Sequence, residues 1–279
     1  MANNMSNTKQ IGKSPYPKII GIVNQKGGVG KTTTAVNLAT ALAASGRKVL
    51  LIDLDPQGNA STGLGIAHTD RRITSYNLII GDVSVTEAVV KTAIPGLHLI
   101  CANIDLSGAE IELVSVNRRE FRLREAFAGE LLPYDYIIID CPPSLGLVTL
   151  NALVCAHSVL IPLQCEFYAL EGLSHLLKTI DLVRAKMNPK LVVQGILLTM
   201  YDRRNALTAQ IEDDVRKFLG PKVYKTVIPR NVRVSEAPSH GKPALIYDLN
   251  CIGSQAYLKL ASEMLKCEKA EPQEALLEA

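Results

Sequence analysis

Residues 24–33 are Asn24-Gln25-Lys26-Gly27-Gly28-Val29-Gly30-Lys31-Thr32-Thr33. The segment separates an apolar run, Ile19–Val23, from a stretch with helical periodicity, Thr33–Ala44. Its glycines let backbone N–H groups turn inward around an anion, and a helix N-terminus adds partial positive charge. A glycine-rich turn that binds nothing is the alternative, but the lysine and two threonines that follow the glycines disfavour it. The segment therefore predicts a phosphate-binding loop.

The spacing within this loop indicates a triphosphate ligand. The ordinary P-loop pattern requires a glycine at the position of Gln25, so only a shifted version of the pattern fits. In that version Lys31 would reach the β and γ phosphates, and the Thr32 hydroxyl would hold Mg²⁺. A dinucleotide-binding loop is disfavoured, because its third glycine would fall on Thr33.

Acidic side chains follow two other apolar runs. Asp53 and Asp55 come at the end of Val49–Ile52, and Asp140 closes Tyr136–Ile139. Because ligands of open α/β sheets bind at the carboxyl ends of the strands, we expect these acids to lie near the loop. One such acid alone could equally be a helix cap or a solvated loop residue. Three acids beside a phosphate loop indicate metal and water chemistry.

Apolar runs without polar alternation recur along the chain, as is typical of strands buried on both faces. Stretches with helical periodicity separate them, which predicts an α/β fold with a doubly wound, mostly parallel sheet flanked by helices. The predicted strands are Ile19–Val23, Val49–Ile52, Leu97–Ile100, Tyr136–Ile139, Val159–Leu163, Val192–Leu198 and Val223–Ile228. The predicted helices include Thr33–Ala44, Ile104–Phe127, Leu170–Ala185, Leu207–Leu219 and Ser254–Leu265.

Length and composition favour one large domain. The chain has 279 residues, of which 47% are hydrophobic, enough to bury a substantial core. We expect a flexible polar leader at residues 1–17, a single domain at 18–266 and an acidic flexible tail at 267–279. The six cysteines form no C-x-x-C pair, and no apolar run approaches the roughly 18 residues that span a bilayer. These features predict a cytoplasmic protein.

Four motifs together resemble the ParA/Soj family of chromosome-partitioning ATPases, P-loop ATPases with a deviant Walker A motif. The motifs are Lys26–Thr33, Asp53–Asn59, Asp140–Pro143 and Ile228–Pro243, and the resemblance covers about residues 18–266. It implies hydrolysis of ATP with Mg²⁺, at a slow rate without a partner. The septum-site regulator MinD, the iron protein of nitrogenase and the arsenite-pump ATPase share the loop.

The resemblance also implies roles at the ATP site. Lys26 would reach across a dimer interface to the ATP of the partner subunit, so that two subunits enclose two nucleotides. Asp55 would position the attacking water, and Asp53 and Asp140 would serve the Mg²⁺ shell. The implied catalytic residues are thus Lys26, Lys31 and Asp55, and the implied metal-binding residues are Thr32, Asp53, Asp55 and Asp140. The implied ATP-binding residues of the loop are Lys26, Gly27, Gly28, Val29, Gly30, Lys31, Thr32 and Thr33. Those around adenine are Met200, Asp202, Pro229 and Asn231.

In the same family, the ATP-bound dimer binds double-stranded DNA without sequence preference, and Arg204 and Arg233 match the arginines responsible. A ParB-type centromere-binding protein would stimulate hydrolysis and release the dimer, which implies a protein associated with the nucleoid. Without the resemblance, both arginines are better interpreted as ordinary surface residues. The formal net charge is only +3, but residues 200–242 carry +4 and the remainder −1, so the basic excess lies in this segment.

Two other functions are alternatives to DNA segregation. A membrane-surface ATPase of the MinD type requires a basic amphipathic C-terminal helix, whereas the four glutamates in residues 268–278 face a single Lys269. An anionic membrane would repel such a tail. An iron–sulfur reductase requires a pair of cysteines bridging a dimer, and Cys141 has no evident mate. The sequence therefore favours DNA segregation without a membrane partner.

Overall fold

The computed structural model describes residues 16–270. The strands are β1 (Lys18–Ile22), β2 (Val49–Asp53), β3 (Val89–Lys91), β4 (Leu97–Ile100), β5 (Tyr136–Asp140), β6 (Ser158–Gln164) and β7 (Val192–Thr199). The α-helices are α1 (Lys31–Ala44), α2 (Asn59–Gly63), α3 (Ser75–Ile80), α4 (Val85–Ala88), α5 (Leu106–Glu112), α6 (Arg122–Ala126), α7 (Leu147–Cys155), α8 (Ala169–Lys186), α9 (Ala206–Leu219), α10 (Val232–Glu236), α11 (Ala244–Tyr247) and α12 (Ile252–Ala270).

The strands form a single sheet in the order β3-β4-β2-β5-β1-β6-β7. Every neighbouring pair is parallel except β3 and β4. Side chains alternate between two cores, one on each face of the sheet: Ile20 and Ile22 pack with α1 and α12, whereas Ile19 packs with α7 and α8 on the other face. The predicted doubly wound, mostly parallel fold is confirmed.

The order of the central strands positions the candidate site. β5 lies between β2 and β1, and its last residue, Asp140, is in register with Asp53 of β2 and with Ile22 of β1. The loop at residues 24–30 leaves β1 at this same edge and enters α1. The parallel register thus brings two acids and the glycine-rich loop together, although they are distant in sequence.

One predicted strand is wrong and one strand was missed. Val223–Ile228 runs beside β7 but pairs with it through a single isolated bridge, from Val223 to Ile196. The amides of Lys225 and Thr226 instead donate to the two carboxylate oxygens of Glu263 on α12, at 2.7 and 2.9 Å, so they are not available for a strand ladder. The missed strand, β3, has three residues and pairs antiparallel to β4, too short for its pattern to be distinctive.

The predicted helix Ile104–Phe127 is also wrong, because the chain divides it. α5 ends at Glu112, Val116 is extended, and Arg118 takes a left-handed conformation with φ of 57° before α6 begins. Helix α7 was not predicted. Seven of its nine residues are buried, so no polar face marks a helical period in its sequence.

The ends of the described region bear on the predicted domain limits. β1 begins at Lys18, directly after the predicted leader, of which residues 1–15 lie outside the described region. α12 continues through Ala270 and so includes the first four residues of the predicted tail, where Glu268 bonds to Lys18 at 3.0 Å and to the Tyr136 hydroxyl. Residues 271–279 are not described. Between residues 16 and 270, no helix is long and apolar enough to cross a membrane.

Candidate nucleotide site

The loop between β1 and α1 has the shape of an anion cradle. Gly28 and Gly30 have φ of 73° and 83°, conformations that side chains disfavour. The Asn24 side chain holds the entry of the loop: its Oδ1 accepts from the Lys26 amide at 2.9 Å, and its Nδ2 donates to Pro162 O at 2.7 Å. The loop is therefore fixed to β6 before any ligand binds, which lowers the entropic cost of binding.

The Lys31 side chain lies inside this loop. It is buried, and its Nζ donates to Lys26 O at 3.0 Å, across the base of the loop. Burial lowers the pKa of Lys31, while the negative charges of Asp140 and Asp55 act in the opposite direction. A buried ammonium that donates to a backbone carbonyl is suited to an anionic ligand such as phosphate.

The three predicted acids meet at the edge of the sheet, but they differ in their bonding. Asp53 Oδ1 accepts from the Asp55 amide at 3.2 Å, and its Oδ2 accepts from the amide and hydroxyl of Ser61 at 2.9 and 2.8 Å. Asp55 Oδ1 accepts from the Gln57 amide at 3.0 Å. Both oxygens of Asp140 are buried without a hydrogen-bond partner among the described residues.

Burial and mutual repulsion destabilise the charged forms of these carboxylates. Burial raises the pKa of Asp53 to about 6, against the hydrogen bonds from Ser61 and Asp55. Burial also raises the pKa of Asp140 well above its ordinary value, and the charge of Asp53 adds to the effect, while the nearby Thr32 hydroxyl and Lys31 ammonium oppose it. A divalent cation would relieve this repulsion.

The residues present fit a magnesium ion that is shared with phosphates. Mg²⁺ keeps several waters and takes one or two carboxylates together with substrate oxygens. Asp140 offers two oxygens without partners, and the Thr32 side chain faces it. No group of three or more His, Cys, Asp or Glu side chains in the described region could hold a metal. The Asp140 oxygens and the Thr32 hydroxyl thus fit a cation that also binds the phosphates of a nucleotide.

Lys26 lies apart from the other loop residues. Its ammonium pairs with the Glu166 carboxylate, which follows β6, and the two side chains are 46% and 44% exposed. Sequence reasoning missed Glu166, although an acid just after a predicted strand was the same signal that identified Asp53 and Asp140. Next to it, Phe167 and Tyr168 are 77% and 69% exposed and pack edge to face. The exposed ammonium of Lys26 thus lies next to an exposed pair of aromatic rings.

The segments predicted to enclose adenine lie side by side. The Tyr201 amide donates to Ile228 O at 2.9 Å, and the Arg230 amide donates to Tyr201 O at 3.1 Å. Thr199 Oγ1 donates to Val29 O at 2.8 Å, which ties the start of this region to the phosphate loop. The structure thus brings Met200, Asp202, Pro229 and Asn231 together beyond the end of β7, where Met200 lies next to Gly30.

Two of these four residues have other bonds. Asn231 caps α10 by accepting from the Val234 amide at 3.2 Å. Asp202 accepts from Nε and Nη2 of Arg204, both at 3.0 Å, and this pairing lowers the pKa of Asp202 to about 2. Adenine contacts from all four residues stay a prediction.

Arg204 and Arg233 follow the two segments that the Tyr201–Pro229 bridge joins. Their side chains are 89% and 54% exposed. Each is paired within the chain, Arg204 with Asp202 and Arg233 with Glu236 at 3.1 Å. Exposed ion pairs contribute little to stability, so both guanidinium groups can exchange their partners for phosphates.

Comparison with known proteins identifies the family. A family model described as an AAA domain matches residues 17–193. Chromosome partitioning protein ParA of Caulobacter vibrioides is 60% identical over 254 residues, 90% of this chain and 95% of that protein. Sporulation initiation inhibitor protein Soj of Bacillus subtilis is 55% identical over 247 residues, 88% of this chain and 98% of that protein.

A solved structure agrees with the fold. Cobyrinic acid a,c-diamide synthase of Mycobacterium smegmatis, with a bound ATP analog and magnesium, gives a TM-score of 0.80 at 38% identity, and the match covers 91% of this chain and 97% of that one. The identities to partitioning proteins over nearly the whole chain support DNA segregation over the MinD-like alternative. The chain belongs to the ParA/Soj family of chromosome-partitioning P-loop ATPases.

Proposed function

We propose that this protein is a DNA-segregation ATPase in which ATP binding assembles a dimer that holds DNA, and hydrolysis releases it. One observation carries the ATP site: buried Lys31 and the unpartnered carboxylate of Asp140 face the same glycine-rich cradle. The loop amides from Gly27 to Thr33 would bind the phosphates, with Met200, Asp202, Pro229 and Asn231 around adenine. Thr32 and Asp140 would hold Mg²⁺, which would neutralise charge on the β and γ phosphates.

Asp55 would act on the nucleophile. It lies two residues after the end of β2, and its Oδ2 has no hydrogen bond within the described region. That oxygen can accept a bond from the water that attacks the γ phosphate. The Asp53 carboxylate holds Asp55 in position by accepting a hydrogen bond from the Asp55 backbone amide. Because Lys31 is the one buried cation that residues 16–270 bring to the cradle, we propose that hydrolysis by a single subunit is slow.

The dimer would form over the face that carries Lys26, Phe167 and Tyr168. Lys26 must leave Glu166 to reach the ATP of a second subunit, and the exposed aromatic pair supplies apolar area for the contact. In the dimer, Arg204 and Arg233 are doubled, which strengthens binding to phosphates without base readout. The names of the relatives support the further proposal that a ParB-type partner stimulates hydrolysis and that the protein associates with the nucleoid.

Co-sedimentation with double-stranded DNA in the presence of ATP and Mg²⁺, ADP and Mg²⁺, or no nucleotide tests this function. We expect retention on DNA only with ATP and Mg²⁺, and none on anionic liposomes under any condition. Equal retention in all three states would reject the nucleotide switch. ATP-dependent binding to liposomes instead of DNA would restore the membrane-associated alternative.

A further inference from the structure

Helix α5 presents an unpartnered apolar face. Leu106, Ala109 and Leu113 are buried against the body of the protein. Ile104 in the turn before α5, Ile111 on α5 and Val114 in the 3-10 turn after it are 67%, 77% and 64% exposed. Because the turns before and after α5 continue its right-handed winding, a spacing of seven and three residues places these side chains on the side away from Leu106 and Ala109. We name these three residues the α5 stripe; aligned aliphatic side chains this exposed are typical of an interaction surface.

Exposed acids flank the α5 stripe. Helical spacing puts Glu110 on one side and Asp105 and Glu112 on the other. Between residues 92 and 117 there is no lysine or arginine. Asp105 accepts from the Asn103 side chain and Glu112 from the Tyr76 hydroxyl, but none of the three acids has an ion-pair partner within residues 16–270. The surface is therefore apolar at its centre and negative at its rim.

The adjoining positive charges do not cancel this rim. Arg118 pairs with Glu125 at 3.0 Å, and Arg119 pairs with Glu120 at 3.3 Å. Both arginines are thus already matched by acids outside the α5 stripe. Asp105, Glu110 and Glu112 can therefore form ion pairs with a partner.

The α5 stripe is close to the candidate ATP site in the fold. β4, which precedes it, lies beside β2, so the stripe begins at the same edge of the sheet as Asp55. Glu110 packs against Gly146, where an added Cβ would collide with the carboxylate. Gly146 ends the loop that starts at Asp140 and leads into α7. A ligand on the stripe can therefore press on the segment that follows the candidate magnesium ligand.

We propose that the α5 stripe is the docking surface for a short, basic, amphipathic segment of the protein partner that stimulates ATP hydrolysis. The inference rests on the proposed function. Apolar side chains of the segment cover Ile104, Ile111 and Val114, and its lysine or arginine side chains pair with the flanking acids. Docking shifts the contact between Glu110 and Gly146 and so tightens the loop after Asp140 around the bound nucleotide.

The negative charge around the α5 stripe favours a basic segment over a second copy of the chain, DNA or a membrane. A second copy of the chain in a symmetric contact would bring the same acids face to face. DNA and anionic membranes are excluded for the same reason, since their phosphates would meet Asp105, Glu110 and Glu112. A basic segment gains from both the apolar centre and the acidic rim.

The test compares stimulation by the purified full-length ParB-type protein of the same organism on wild type, Ile111→Lys and Asp105→Lys/Glu112→Lys. We expect both variants to require at least 10-fold more partner for half-maximal stimulation. Their basal turnover and ATP-dependent retention on DNA should be unchanged, because the substituted side chains are exposed. Leu182→Lys, at an aliphatic residue of α8 that is 59% exposed, is the matched control and should respond like wild type.

The outcomes separate the two proposals. If the partner stimulates wild type and both variants equally, the docking surface is wrong while the proposed function stands. If the partner does not stimulate wild type at all, the partner assignment fails, and the docking proposal fails with it. Circular dichroism spectra and basal turnover of each variant show that a lost response is not lost folding, and the charge variant still tests the surface if Ile111→Lys does not fold.

Discussion

Asp53 and Asp140 stand in register at the ends of adjacent strands, both fully buried, yet only the Asp53 carboxylate is bonded within the described part of the protein. Three donors from Asp55 and Ser61 occupy the Asp53 oxygens. Asp53 therefore braces the loop that carries Asp55, and Asp140 is the carboxylate left for a cation. The sequence alone assigned both acids to the magnesium shell, because it shows where strands end but not which oxygens are occupied.

This difference predicts opposite effects for two matched substitutions. Asp140→Asn should weaken ATP binding only when Mg²⁺ is present, because the carboxylate acts through the cation. Asp53→Asn should lower the free energy of unfolding by about 1–3 kcal/mol without nucleotide, since the NH2 group of asparagine would leave buried donors of Asp55 or Ser61 without an acceptor. Urea denaturation and ATP titration with and without Mg²⁺ measure the two effects. Greater loss of Mg²⁺-dependent affinity in Asp53→Asn than in Asp140→Asn would contradict the assignment.

Lys31 should supply much of the affinity for phosphate. Lys31→Ala removes the one buried ammonium that faces the cradle among the described residues, and we expect ATP to bind about 10- to 100-fold more weakly. Isothermal titration with a non-hydrolysable ATP analog measures this change. Lys178→Ala, at an exposed position of α8, is the control. Unchanged affinity in Lys31→Ala would reject the phosphate loop.

Asp55 should act on hydrolysis rather than on binding. Asp55→Ala removes an acceptor for the attacking water but leaves the loop and Lys31 in place. We expect turnover to fall by about 100-fold or more, within the range for positioned acid–base groups, while ATP still drives retention on DNA. Phosphate release and DNA co-sedimentation read out the two properties. Asp70→Ala, an exposed acid on a neighbouring turn, should behave like wild type, and normal turnover in Asp55→Ala would remove the proposed role.

The central features of the fold could be predicted because they are local in sequence. Two apolar runs end in Asp53 and Asp140, and a third leads into the glycine-rich loop. Each of these runs indicates both a buried strand and the position of its carboxyl end. The Val223–Ile228 segment has the same apolar character, but two of its amides bond to Glu263 on α12, 37 and 38 residues later in the chain. Whether such a segment pairs as a strand depends on where that helix packs.

The partners of the site residues were equally beyond the sequence. Glu166 is 140 residues from Lys26, and nothing near either residue indicates that they meet. Likewise, Asp202 was assigned to adenine, whereas its side chain bonds to Arg204, two residues away. The spacing of apolar residues predicts where the backbone of a strand or helix runs. Which of several polar side chains at one edge of the sheet bond to each other depends on side-chain geometry, which the sequence does not show.

Arg204 and Arg233 should control retention on DNA without affecting dimerisation. Arg204→Glu/Arg233→Glu replaces exposed cations at the same edge, so phosphate binding should weaken for every DNA sequence alike. The slope of log affinity against log salt should also fall by about one for each phosphate that the variant no longer neutralises. Co-sedimentation over a salt series measures both, and light scattering with ATP measures the dimer. Lys178→Glu/Lys186→Glu on α8 is the matched control; equal retention in the two double variants would place the DNA surface elsewhere.

Asn37 should determine how firmly the C-terminal motif holds the phosphate loop. Its Oδ1 accepts from the Ala244 amide and its Nδ2 donates to Thr33 O, both at 2.8 Å, beside a cavity of about 250 Å³ lined by Thr32 and Lys242. Asn37→Ala leaves the buried amide of Ala244 without an acceptor. We therefore expect the free energy of unfolding to fall by about 1–3 kcal/mol.

Urea denaturation checks this change, and the exposed control Asn250→Ala should stay within about 0.5 kcal/mol of wild type. Through its bond to Ala244, the residue after Pro243, Asn37 joins the end of the Ile228–Pro243 motif to helix α1, which begins in the glycine-rich motif. ATP affinity should therefore fall with stability in Asn37→Ala, because Thr32 and Thr33 lose their support. A stable Asn37→Ala protein with wild-type affinity would show that this link is dispensable.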